Sequence, residues 1–160
     1  MKIQLVSDLH LMHHYSGDVL KFIENIWTDA EILLIAGDFV DSLVNNYDEA
    51  FKYFRWIEDN YLEVIYVPGN HEYLGSTIKD TNKALKKMQT ELRRTYILLN
   101  EVWETDGQRF VGSMTWYPET TYSRSREKNM LDFNEIINLR EEVYKENEKS
   151  MKYLRETVLS

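Results

Sequence analysis

A chain of 160 residues with 43% apolar and 13% aromatic content can bury one core but not two, and is read as a single domain over 1–160. It has no cysteine, which excludes a disulfide framework and a thiolate metal site and fits a cytoplasmic setting. The net charge of −8 argues against a grip on duplex nucleic acid, which needs a basic face.

Ile3-Gln4-Leu5-Val6 reads as a short strand, and Asp8 interrupts its apolar run too soon for a secretory leader. A polar loop with His13 and His14 leads to a helix over 18–27, where Val19, Phe22, Ile23, Ile26 and Trp27 share one face. The second strand, residues 32–36, is the longest apolar run and far short of the roughly 20 residues that cross a bilayer. A helix over 47–60 turns Tyr47, Ala50, Phe51, Phe54 and Ile57 inward, and Asn46 with Glu49 resembles a capping box.

Val64-Ile65-Tyr66-Val67 is a third strand, stopped abruptly by Pro68-Gly69. The helix over 77–92 buries Ile78, Leu85, Met88 and Leu92 and turns Lys79, Lys83, Lys86 and Lys87 to solvent. Such alternation predicts right-handed crossovers and a parallel sheet.

The pattern then changes. Short strands are predicted over 96–99, 102–104 and 109–112, the last two joined by an Asp106-Gly107 hairpin turn. After Pro118 a polar loop carries Arg124, Arg126 and Lys128. With Trp116, Tyr117 and Tyr122 it is placed to cover a cleft, where Arg124 and Arg126 would grip a substrate phosphate; a plain surface loop is the alternative. One helix from 133 carries Ile136, Ile137, Val143, Tyr144, Met151, Leu154 and Val158, with no stop signal before Ser160. Trp27, Trp56 and Trp103 read as core, and Tyr47, Tyr53, Tyr61 and Tyr66 as packing residues with wet hydroxyls.

The chemistry gathers at three strand ends. In an extended chain Asp8 and His10 point the same way, so both reach one ion. Asp38 follows Asp8 by 30 residues and Asn70 follows Asp38 by 32, one strand-helix unit per step. In open α/β sheets the site lies beyond the carboxyl ends of the strands. Carboxylate, imidazole and amide ligands without thiolate favour Mn²⁺, Fe or Zn²⁺, and Asp38 is placed to bridge two ions.

Asp8-x-His10, Gly37-Asp38-x-x-Asp41 and Gly69-Asn70-His71-Glu72 together resemble the first three signatures of the calcineurin-like metallophosphoesterases. The resemblance implies a four-layer α/β/β/α sandwich with a two-metal centre that hydrolyses a phosphomonoester or phosphodiester. Asp8 and His10 would hold the first metal, Asp38 would bridge, and Asn70 would hold the second. His71 would contact the phosphoryl oxygen or protonate the leaving group, while Asp41 and Glu72 would orient the ligands.

The family continues with further histidines, including a Gly-His-x-His motif, but no histidine follows His71 here. Three explanations compete. The sequence is the front part of a longer domain, its last strands absent or supplied by a second polypeptide. It is a scaffold without turnover that works by binding a partner. Or His13 and His14 substitute as ligands. The first would leave strand edges open, so self-association or a complementary C-terminal fragment is expected.

Overall fold

The computed structural model describes residues 1–13 and 19–158. His14, the predicted helix start at residue 18 and the last two residues lie outside that set. Among the described residues four parallel strands stand side by side in chain order: β1 Ile3–Val6, β2 Ile32–Ala36, β3 Glu63–Val67 and β4 Thr95–Ile97. Ile3 lies opposite Ile32, Leu33 opposite Val64 and Ile65 opposite Tyr96. The crossovers are the helices α1 Val19–Ile26, α2 Tyr47–Glu58 and α3 Ile78–Glu91.

A sheet extended one strand at a time by right-handed crossovers collects its helices on one face. That face holds the main core, where Ile23, Phe54, Ile57, Leu85 and Met88 pack against Leu33, Ile35, Val64 and Tyr66. Each such side chain, fully buried, is worth roughly 1.5–3 kcal/mol. The alternate residues Ile32 and Ile65 point the other way, onto an antiparallel hairpin of β5 Glu101–Thr105 and β6 Gln108–Gly112. Trp103 of the hairpin stacks on Tyr96 with ring centroids 3.4 Å apart. The long C-terminal helix α6, Leu139–Val158, lies beyond the hairpin, tied to it where Arg109 donates to the Thr157 carbonyl at 3.2 Å. The order is therefore helix, sheet, hairpin, helix, an α/β/β/α arrangement.

The hairpin turn has both central residues in the left-handed region, Asp106 at φ 47° and Gly107 at φ 71°, as a two-residue turn requires. Other details depart from the sequence expectations. The helix expected from residue 133 is two helices, α5 Asp132–Glu135 and α6, parted by Asn138 at φ 60°. Their backbone groups go elsewhere: Gly75 donates to the Glu135 carbonyl and Ile137 to the Ser76 carbonyl, both at 2.9 Å. The polar loop holds a short helix, α4 Thr121–Arg126, whose cap Thr120 accepts from the Ser123 N–H.

Trp116 does not cover a cleft. It is buried edge-on against Tyr73 in a second core with Phe133, Ile136 and Val143. Asn46 makes no side-chain cap, because its amide donates to the Asp41 carbonyl at 2.9 Å. Tyr66 is wholly buried, hydroxyl included, rather than wet. Trp27 and Trp56 are half-buried and stack on each other at the rim of the core.

A buried carboxylate that the sequence did not flag locks the far end of the sheet. Glu58, the last residue of α2, accepts from the N–H groups of Arg93 and Arg94, the Thr95 hydroxyl and the Arg55 guanidinium. No helix among the described residues is long and apolar enough to cross a membrane.

Candidate metal centre

The centre is built by three turns at the carboxyl ends of β1, β2 and β3. Asp8, His10 and Asp38 all have left-handed backbones, with φ of 54°, 44° and 51°. This corrects the expectation that Asp8 and His10 share one side of an extended strand, since β1 stops at Val6. The two turns are instead bonded edge to edge. Asp8 donates to the Gly37 carbonyl at 3.1 Å, His10 to Asp38 at 2.9 Å and Leu11 to Phe39 at 3.0 Å. A left-handed non-glycine residue costs roughly 1–2 kcal/mol, and such strain gathers where function over-determines the backbone.

Glu72 ties the second turn to the third. It is fully buried, and its carboxylate accepts from four N–H groups: Gly69 at 2.7 Å, Phe39 at 2.6 Å, and Asp38 and Val40 at 3.2 Å. Burial pushes its pKa up against the opposing pull of the Tyr66 hydroxyl and the Val40 and Gly69 amides. Gly69 is required by closeness, because a Cβ there would stand 2.1 Å from Asp38 Oδ1. That same oxygen accepts from the His71 N–H at 3.0 Å.

Asp41 sits among three imidazoles. Its Oδ1 lies 2.6 Å from His71 Nδ1 and 3.1 Å from His10 Nδ1, and its Oδ2 lies 3.4 Å from His13 Nε2. Burial pushes Asp41 up, but the bonds to His71 and His10 and the charges of His10 and His13 hold it below the usual carboxylate value. For His71, burial pulls down while Asp41, Asp38 and Asp132 outweigh it and raise the pKa. The His10 and His71 rings meet edge to face with centroids 4.5 Å apart.

Asn70 is held from a distant part of the chain. Its amide nitrogen donates to Asp132 Oδ1 at 2.9 Å, and the other Asp132 oxygen accepts from the Tyr117 hydroxyl. That leaves the Asn70 carbonyl oxygen to offer to a ligand. Sequence reading missed Asp132. It is 62 residues from Asn70, and its only local sign is an acid at a helix start beside Phe133.

The residues present fit a divalent cation. One ligand atom each from His10, Asp38 and His71 lie within 4.8 Å of one another, as do those of His10, His13 and Asp41. Apart from the His13 ring at 3.4 Å, Asp41 Oδ2 is buried without a hydrogen-bond partner among the described residues, which a cation or its shell would relieve. The donors are oxygen and nitrogen only, a set suited to hard and borderline ions. Asp8 lies outside both groups, exposed, its carboxylate making no hydrogen bond or ion pair to a described residue. Arg124 is paired with Glu119 and Glu127, whereas Arg126 lies over the Tyr122 ring at 5.2 Å.

The sequence profile of the calcineurin-like phosphoesterases matches residues 1–155. The chain belongs to that family. Phosphoesterases of this kind work with divalent metal ions, in keeping with the donor groups gathered here. The chain is 32% identical over 126 residues to the uncharacterised protein L509 of Acanthamoeba polyphaga mimivirus, a match covering 71% of this chain and 44% of that protein. Its fold resembles the crystal structure of a phosphopantetheinyl hydrolase from Mycobacterium tuberculosis, with a TM-score of 0.65 and 18% identity over 99% of this chain and 63% of that one. At that identity the likeness is one of fold. This calcineurin-like phosphoesterase chain spans less than two thirds of either protein.

Proposed function

We propose that this chain is a metal-dependent phosphohydrolase that cleaves a phosphomonoester or phosphodiester at the ends of β1, β2 and β3. The observation that carries the reading is the convergence of His10, Asp38 and His71 within 4.8 Å at neighbouring strand ends. His10 would hold one ion, joined by Asp8 once its exposed carboxylate turns inward, Asn70 would hold a second, and Asp38 both, with Mn²⁺ the best match and Fe or Zn²⁺ also suited. When bound, such ions supply Lewis acidity to the phosphoryl oxygens and lower the pKa of the attacking water.

The chain's own residues orient and protonate. Asp41 fixes the rings of His10 and His71, Asp132 fixes the Asn70 amide, and Glu72 holds the backbone on which Asp38 stands. His71, bonded through Nδ1 to Asp41, holds a proton on Nε2 and gives it to the leaving oxygen. Hydrolysis of an aryl phosphate tests the reading. Activity should need Mn²⁺, vanish in Asp38→Asn and fall about 10²–10⁴-fold in His71→Ala. Cleavage that survives chelation would remove the proposal.

A second reading is that the chain acts with a further polypeptide segment or a second copy of itself. Ile3 and Leu5 on the edge strand β1 are 44% and 67% exposed. They lie opposite Ile32 and Leu34 on the face that carries the hairpin, so among the described residues that face runs on uncovered beyond it. With the chain covering 44% of the mimivirus protein and 63% of the structure it resembles, a complementary segment has room to pair there.

A further inference from the structure

A cavity of about 420 Å³, within the range of small-molecule sites, is linked to the centre by the hydrogen bonds of Tyr117 and Asn70 to Asp132. Its walls are aromatic. Tyr117 and Phe133 stack with centroids 5.9 Å apart and 26° between planes, and Tyr122, with Met130, lines the same space. The cavity is coupled to the centre through one side chain. Tyr117 lines it with its ring, and its hydroxyl donates to the Asp132 carboxylate that holds Asn70. Tyr117 is also close enough to Asp38 to feel its charge, which adds to burial and the Asp132 bond in raising the tyrosine's pKa. Its hydroxyl therefore stays protonated and serves as a donor, not a base.

The cavity also carries an unneutralised cation. Arg124 is taken by Glu119 and Glu127, and Arg140 lies 3.5 Å from Glu127. Arg126 makes no ion pair with a described residue, yet it lines the cavity with its guanidinium over Tyr122. Flat aromatic walls select a flat ring, and an unpaired guanidinium at their rim selects an anion.

We propose that this cavity receives the leaving group of the ester, and that the group is an aromatic ring bearing a negative charge of its own, paired with Arg126. The proposal rests on the phosphohydrolase reading and narrows its substrate class. In a monoester water adds to phosphorus and gives up a proton, the P–O bond to the ring-bearing oxygen breaks, that oxygen takes a proton from His71, which the water's proton replaces, and inorganic phosphate departs. This gives Arg126 the leaving group, rather than the transferred phosphate, as its partner.

The test compares 4-carboxyphenyl phosphate, phenyl phosphate and methyl phosphate with Mn²⁺-loaded protein. A parallel NMR titration follows 4-hydroxybenzoate, the product, on metal-free protein. Wild type should favour the carboxylated ester over phenyl phosphate in kcat/KM, and Arg126→Gln should cut that preference about tenfold, through KM. Tyr122, being 68% exposed, can be removed without unfolding the chain, and Tyr122→Ala should weaken both aryl esters relative to methyl phosphate. Turnover without these preferences, or preferences untouched by both variants, overturns the inference and leaves the phosphohydrolase reading standing. No turnover, with 4-hydroxybenzoate binding that Arg126→Gln abolishes, keeps the site and removes the enzyme reading. Neither turnover nor binding removes both.

Discussion

Glu72 and Asp41 show how single residues hold the centre in shape. Glu72→Gln keeps the size of the side chain but replaces an acceptor oxygen with an NH₂ that faces N–H donors. With four amides relying on that carboxylate, the variant should lose about 2–3 kcal/mol in urea denaturation. Gly69→Ala acts on the site instead, pushing against Asp38 Oδ1, and calorimetric Mn²⁺ affinity should fall at least tenfold. The placement of Asp8, His10, Asp38, Asn70 and His71 just beyond β1, β2 and β3 was legible because each follows an apolar strand at a spacing of one strand-helix unit. Asp132 was not, because its role arises only when α5 is laid against the third turn. Asp132→Asn can turn an NH₂ towards the Asn70 amide, and it should weaken Mn²⁺ binding by tenfold or more.

At the scale of elements, periodicity carried the first two thirds of the chain. Three helices with apolar residues every three or four positions and three strands ending in turns gave the first three strands of the parallel sheet, whereas the fourth, Thr95–Ile97, was read only as a short strand after the pattern changes. The break between α5 and α6 was hidden, because Ile136 and Leu139 fit helical spacing. What interrupts the helix is tertiary: Gly75 and Ser76 claim the backbone groups of Glu135 and Ile137. Ile137 is consequently 51% exposed. Asn138 at φ 60° is the hinge of that break. Asn138→Val should cost about 1–2 kcal/mol while Asn138→Gly stays within about 0.5 kcal/mol of wild type, as read by urea unfolding.

For the whole molecule, the layer order of helix, sheet, hairpin and helix leaves the outer edge of β1 without a strand partner among the described residues, with Leu5 exposed there. On the proposal that a second copy pairs at this edge, Leu5→Lys should reduce self-association in sedimentation velocity without lowering the unfolding midpoint, since Leu5 is 67% exposed and supports little of the core. The sequence revealed the strand-helix scaffold, but not how far the hairpin reaches across the second face, because that depends on side-chain contacts between Trp103, Tyr96 and Phe110 rather than on local pattern. Elemental analysis of protein loaded with Mn²⁺ and stripped of excess tests whether the three strand ends form a metal centre. At least one ion per chain in the wild type, and none in Asp38→Asn, is the predicted result. No retained metal in the wild type, or equal retention in both proteins, would contradict it.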